Sequence, residues 1–298
     1  VTRARDALER ATLGARLFVA LQYLLPQHGL SRLVHVLARR RWPPLKNLLI
    51  RGFVGLFRPD MSDALEPDPR RYATFNAFFT RALRREARPI DADPAAVVAP
   101  VDGTLSEAGP IGEGRLLQAK GIRYPLEALL AGREEWCARL RDGVFATIYL
   151  APYNYHRIHM PCAGTLIDAW YVPGRLFSVN RTTAAAVPGL FARNERLVCG
   201  FLDREARPFA LVLVGALNVG SMSTVWHGEV TPRRARRIAP LPLTALRAPL
   251  RLEAGAEMGH FNLGSTVIAL FPGATVALSP ELVPGRTLRV GQRIGRFG

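Results

Sequence analysis

Hydrophobic and polar positions divide this chain into two textures. From about Val97 onward, short apolar runs alternate with Gly and Pro. The clearest are Val144 to Leu150, Thr165 to Val172, Phe209 to Val214, Thr266 to Phe271 and Thr275 to Leu278. Runs of this length, rich in β-branched and aromatic residues and bounded by turn formers, predict strands of a mainly antiparallel β domain. The first sixty residues read differently. Leu17 to Leu25 is apolar but for Gln22, and Leu45 to Phe57 is a second apolar stretch broken by Lys46 and Arg51. A spanning helix needs roughly 20 consecutive apolar residues, and neither stretch reaches that length. Between them lie Arg32, Arg39, Arg40 and Arg41, with Trp42 next to the last. Short apolar helices flanked by arginine and an aromatic residue suit a segment lying in the plane of a membrane interface. The competing expectation is a pair of core helices with basic outer faces.

Residues 58–70 carry three prolines and four acids and read as a connector. Past it, the spacing of Phe75, Phe78, Phe79 and Leu83 predicts an amphipathic helix from about Phe75 to Arg85. The fold expected is therefore α+β. A basic helical region with its connector spans residues 1–70, and a β-rich catalytic domain spans 71–298.

Charge sharpens the membrane reading. The formal net charge is +16, and residues 1–90 hold 17 Lys and Arg against seven Asp and Glu. Such a surface favours an anionic partner. Asp6 and Glu9 spoil the basic start of a secretory signal, and no small-x-small cleavage pattern follows Leu25. Cys137, Cys162 and Cys199 form no CxxC pair, which argues against a disulfide framework or a zinc site and leaves inert thiols as the expectation.

Polar residues stand out in four places: Pro100-Val101-Asp102-Gly103, Tyr155 to Pro161 with His156 and His159, the triplet Asn194-Glu195-Arg196, and Gly259 to Thr266 with Leu263-Gly264-Ser265-Thr266. An Asp before Gly is a common turn former. The HxxH pair has no Glu or Cys at zinc-site spacing, so proton transfer is the likelier use than metal binding. Ser265 is not in a GxSxG elbow, since Leu263 and Val267 stand two residues on either side of it.

In this order, and together with Phe78-Phe79-Thr80-Arg81, Arg88-Pro89-Ile90, Lys120-Gly121 with Tyr124, Leu176 to Asn180, Phe191 to Arg196, Val214-Gly215-Ala216 and Asn218 to Ser221, these segments resemble the phosphatidylserine decarboxylases. Leu263 to Thr266 is similar to the bacterial form of the family's cleavage motif. The resemblance implies a chain that makes its own electron sink. The Ser265 hydroxyl attacks the carbonyl carbon of Gly264 and shifts the acyl group from nitrogen to oxygen. The ester is cut by β-elimination, and the dehydroalanine left at position 265 hydrolyses to a pyruvoyl group. The absence of a side chain at Gly264 admits a strained backbone and a close approach. By resemblance His159 is the base, Asp102 orients it, and His156 is a proton donor or substrate contact; the two histidines could exchange roles. Asn194, Glu195 and Arg196 are expected to support the site from behind.

The mature protein implied is a heterodimer of a large chain, 1–264, and a small chain, 265–298, open to assembly into a higher oligomer. It binds no metal and no nucleic acid. Its substrate is phosphatidylserine in an anionic membrane, taken as a Schiff base and released as phosphatidylethanolamine. Its place is the cytoplasmic face of the cell membrane, as a peripheral protein. A decarboxylase of another phosphoserine-headed lipid fits the same residues. A membrane protein that turns the relay on an outside ester is the more distant rival.

Overall fold

The computed structural model describes residues 13–217, 221–230, 237–243, 248–273 and 275–298. Asp6, Glu9 and Asn218 to Gly220, used above, lie outside the described residues. Three helices come first: α1 (Leu13–Leu24), α2 (Gln27–Ala38) and α3 (Pro43–Phe57). Proline breaks the chain before α2 at Pro26, and Pro43 opens α3 with the φ a helix needs. The sequence reading marked α1 and α3 but not α2, although Leu30, Leu33, Val34, Leu37 and Ala38 carry helical spacing.

These helices turn their polar side chains inward. Gln22, only 1% exposed, accepts from the Ser178 N–H at 2.7 Å and donates to Thr183 Oγ1 at 3.3 Å. The Gln27 amide oxygen accepts from the Leu176 N–H at 2.9 Å. Lys46 is buried and donates to the carbonyls of Arg70 and Tyr72 at 2.7 and 2.9 Å. Leucines face out instead: Leu24 is 82% exposed and Leu56 75%. The outer faces are not simply basic, since these leucines share them with the exposed Arg32 and Arg51. Among the described residues no helix is long and apolar enough to cross a membrane.

The helix expected over Phe75 to Arg85 is only one turn and a little more, α4 (Phe75–Phe79). The Thr74 hydroxyl caps its start by accepting from the Ala77 N–H. It stops early because the next residues find strand-like partners. Leu83 bridges Ala64, and the N–H groups of Leu65 and Arg84 donate to the carbonyls of Ala82 and Asp63 at 2.9 Å. Phe75, Phe78 and Phe79 are buried beneath Ile50 and Phe53 of α3.

Ten strands position the site: β1 (Gly103–Pro110), β2 (Val144–Tyr149), β3 (Arg157–His159), β4 (Gly164–Val172), β5 (Arg196–Leu202), β6 (Pro208–Val214), β7 (Met222–Thr224), β8 (Gly228–Glu229), β9 (Glu257–Phe261) and β10 (Thr266–Phe271). The large sheet runs β4-β5-β6-β10-β2-β1, every pair antiparallel, with short strands closing its ends. A smaller antiparallel sheet runs β8-β7-β9-β3. All six residues of β10 are buried, as a continuous apolar run at the centre of a covered sheet requires. The fold is α+β, with helices first and a β-rich domain after. The strands expected from the apolar runs form within a residue or two of the expected bounds.

Candidate active site

Asn262 to Ser265 crosses from β9, in the small sheet, to β10, in the large one. The passage is pinned at both ends. The Phe261 N–H donates to the His156 carbonyl at 3.0 Å, and the Ser265 carbonyl accepts from the Leu150 N–H at 2.8 Å. Ser265 is fully buried, yet its Oγ has no hydrogen-bond partner. A buried hydroxyl usually finds one, so an orphan costs about 1–3 kcal/mol; the hydroxyls of Thr147 and Thr266 are orphaned in the same way.

A further orphan, His156 Nε2, faces Gly264, the residue before Ser265. The imidazole is wholly buried, with its ring 4.1 Å from that of Phe79. Its Nδ1–H donates to the Asn154 carbonyl at 2.8 Å, which leaves the lone pair on Nε2. Burial pushes its pKa down to about 3; the Asn154 bond opposes this and the Arg81 charge adds to it. At neutral pH His156 is therefore an uncharged acceptor. A β-carbon on residue 264 would stand 3.1 Å from this Nε2 and 3.3 Å from the Leu150 carbonyl. Gly264 is not in the left-handed region. Space for His156, rather than backbone strain, is what requires glycine there.

Asp102 and His159 lie side by side but do not bond to each other. The His159 N–H donates to the Pro100 carbonyl at 2.8 Å, which brings β3 against the turn carrying Asp102. The imidazole Nδ1–H donates to the Gly255 carbonyl at 2.7 Å, and Nε2 accepts from the Tyr155 hydroxyl at 3.0 Å. Burial lowers the His159 pKa, while the Gly255 bond and the charges of Glu257 and Asp102 pull it back. Asp102 instead takes the Arg88 guanidinium, at 2.9 and 3.0 Å from Nε and 2.5 Å from Nη2, and the Val290 N–H at 2.9 Å. Arg88 also reaches Asp63 at 2.8 Å. Burial works against its charge, but the bonds to Asp102 and Asp63 raise its pKa above the ordinary arginine value. The structure thus gathers Gly264, Ser265 and His156. It sets Asp102 and His159 behind them, joined by hydrogen bonds neither to each other nor to Ser265.

Two cavities lie near these residues. An apolar one of about 640 Å³ reaches from Leu37 of α2 and Leu48 and Phe53 of α3 to Phe79, Leu263 and Gly264. A second, of about 450 Å³, is lined by Arg84, Arg85 and Arg88 with Tyr155 and His159. The apolar cavity reaches Gly264, and the basic one reaches Tyr155 and His159.

The remaining motifs are structural. The Asn194 amide donates to the carbonyls of Phe177 and Gly215, Glu195 accepts from the Tyr171 hydroxyl, and Arg196 donates to four backbone carbonyls. Together they tie the loops behind the large sheet. Cys162 and Cys199 are buried, and burial raises both thiols far above the usual range. Sequence reasoning missed the Arg88–Asp102 pairing and the Tyr155–His159 bond. All four residues stood inside quoted motifs, but which of them touch is set by the fold rather than by the sequence pattern.

A family model for phosphatidylserine decarboxylase matches residues 75–296, and a second, described as PSD, matches residues 17–58. The chain is 52% identical over 280 residues to the phosphatidylserine decarboxylase proenzyme of Methylibium petroleiphilum, covering 94% of this chain and 97% of that one. It is 52% identical to that of Ectopseudomonas mendocina, over 94% and 98% of the two chains. To that of Bordetella petrii it is 54% identical over 259 residues, 87% and 90% of the two.

Proposed function

Since the chain belongs to the phosphatidylserine decarboxylase family, we propose that its active centre is built at Ser265, by cleavage of the chain between Gly264 and Ser265. The enzyme is a pyruvoyl-dependent carboxy-lyase that converts phosphatidylserine to phosphatidylethanolamine, its prosthetic group made from itself by serinolysis. The observation that carries the placement is the orphaned, buried Ser265 Oγ following a Gly264 that a neutral, orphaned His156 Nε2 faces. Once formed, the pyruvoyl group supplies a ketone that takes the substrate amine as a Schiff base and drains the electrons freed by loss of CO₂.

The residues of this chain prepare and serve that group. A base removes the Ser265 Oγ proton as Oγ bonds to the Gly264 carbonyl carbon, and the Gly264–Ser265 amide nitrogen leaves protonated, giving an ester. In the first reading the base is His159, with Asp102 holding its charge as it becomes an imidazolium. A second reading is favoured by geometry: His156 Nε2 has its lone pair free and stands against Gly264, whereas His159 Nε2 is occupied by Tyr155. Under either reading the buried position of Ser265 keeps bulk water from the ester. The histidine not used for cleavage returns a proton to the substrate α-carbon.

The lipid reaches this bond through the apolar cavity. Its acyl chains lie among α2, α3 and Phe79 while its headgroup meets Gly264 and Ser265. The exposed leucines of α1 to α3 seat the enzyme on the bilayer as a peripheral protein, on the cytoplasmic face, where anionic lipid meets the basic residues near Trp42. Residues 1–70, with helices α1 to α3 and the connector, form one functional region and residues 71–298 the other.

The test is a set of four purified variants followed on a denaturing gel and by decarboxylation of phosphatidylserine. Ser265→Ala stays full-length. In the first reading His159→Ala and Asp102→Ala also stay full-length, while His156→Ala cleaves and then loses about 10²–10⁴-fold in turnover. The reverse pattern for the two histidines selects the second reading. Prompt cleavage by Ser265→Ala overturns both.

A further inference from the structure

A chain of polar contacts outside the catalytic cluster runs from the helical layer to the cleavage segment. It begins on α2, where His35 Nε2 and Arg39 Nη2 both meet Glu229 Oε1, at 3.0 and 2.5 Å. Glu229, on β8, accepts from the Ser221 hydroxyl. Ser221 in turn accepts from the Asn262 amide Nδ2 at 2.5 Å and from Arg39 Nη2 at 3.4 Å. Asn262 is 2% exposed and two residues before Gly264. Its Nδ2 also reaches Ser223 Oγ at 3.1 Å, its Oδ1 accepts from Asn76 of α4 at 3.0 Å, and its N–H donates to the Ser221 carbonyl at 2.9 Å.

We infer that Glu229, clasped by His35 and Arg39, is a positioning residue for self-cleavage: through Ser221 and Asn262 it fixes the segment that carries Gly264 and Ser265, so that processing waits on docking of α2. This rests on the reading that the chain is cut at Gly264–Ser265. The contact with α2 is the feature that separates the clasp from ordinary loop packing. Asn262 would be satisfied by Ser223 and Asn76 alone, and Ser221 by Asn262. Glu229 adds a carboxylate whose charge is balanced only from the helical layer among its described ion pairs. Burial works against that charge, while the bonds from Ser221 and His35 and the Arg39 cation hold its pKa below the usual glutamate value. A charged group with partners on two layers transmits the position of one to the other, since moving α2 leaves the carboxylate half-buried and unpaired. An unprocessed chain whose helices have not yet seated would keep its cleavage bond out of line. Nucleophilic attack demands near-contact geometry, and a shift of about 1 Å can cost about a hundredfold in rate.

The experiment is a charge-swap cycle on the full chain, expressed as precursor and timed for conversion on a denaturing gel. Arg39→Glu and Glu229→Arg should each slow cleavage by about tenfold or more, and the double swap should return the rate to within about threefold of wild type. Ser221→Ala, which cuts the chain between clasp and segment, should slow cleavage while thermal melting stays near wild type. Single swaps that cleave at the wild-type rate, or a double swap no faster than the slower single, overturn the inference. If the swaps melt early, Ser221→Ala decides, and a wild-type rate from it overturns the inference equally. A wild-type chain that never cleaves contradicts the cleavage reading itself, which is a different outcome.

Discussion

The helical layer buries polar side chains of a kind that the centre of the large sheet does not. In the sheet, β10 buries Val267, Ile268, Ala269, Leu270 and Phe271. In α1 to α3 the buried side chains include Gln22, Gln27, Ser31 and Lys46 beside Val19, Ala38 and Ile50, while Leu17, Leu21, Leu24, Leu33, Leu48 and Leu56 face out. The sheet is organised by water and the helices are organised against it. Polar groups of α1 and α2 spend their hydrogen bonds on loops of the β domain, as Gln22 does on Ser178. That leaves the apolar face for another apolar phase. Exposed patches of this kind mark interaction sites in soluble proteins, and here the patch borders the cavity that leads to Gly264.

The comparison can be broken from either side. The largest effect expected is from Ser265→Ala, which should abolish self-cleavage and decarboxylation entirely and leave vesicle binding at wild-type strength. Loss of binding in that variant would mean that the sheet, not the helices, holds the membrane. Next is the reverse substitution. Leu17, Leu24 and Leu33 all replaced by Ser should weaken vesicle binding by roughly a thousandfold, at about 1.5 kcal/mol per leucine, with cleavage unchanged. Sedimentation with neutral-lipid vesicles measures it, and an unaltered bound fraction would return the helices to simple packing.

A smaller effect concerns His156, a wholly buried titratable group of the sheet side. The unfolded chain takes up a proton near pH 6.5 that the folded chain refuses until about pH 3. Stability is therefore lost progressively as pH falls from about 6.5 toward 3, at up to about 1.4 kcal/mol per unit from this group. His156→Gln should flatten that part of the melting-temperature profile. Identical slopes for the two proteins would place the imidazole in water. Smallest is the electrostatic share of binding. Arg40→Glu with Arg41→Glu should reduce binding to anionic vesicles by about tenfold or more, at about 1 kcal/mol per basic residue, and leave neutral vesicles nearly unaffected. High salt should shrink the difference.

Much of the sheet was legible because its code is local. Five residues or more of β-branched and aromatic side chains between turn formers could hardly be anything else, and β2, β4, β6 and β10 formed as expected. The length of α4 was not legible, since what ends it is the pairing of Ala82 to Arg84 with residues 63–65, a contact the apolar spacing does not encode. Helix α2 carried a readable apolar stripe that its arginines and histidines obscured. At the site, motif resemblance pointed to Asp102, His156, His159, Gly264 and Ser265. It could not find which imidazole faces Gly264, because two histidines three residues apart on an extended strand differ only in what packs around each. Phe79 and Asn154 enclose one, and Tyr155 and Gly255 engage the other. The partners of Asp102 and Glu229 were equally hidden, being set by three-dimensional approach of segments far apart in the chain.

The central claim is that this chain makes its own catalytic carbonyl at position 265, and intact mass of the purified, active protein tests it most directly. The account expects two species, residues 1–264 and a 34-residue chain whose first residue is a pyruvoyl group and which therefore resists Edman sequencing. A single uncut 298-residue chain that decarboxylates phosphatidylserine at full rate would contradict it.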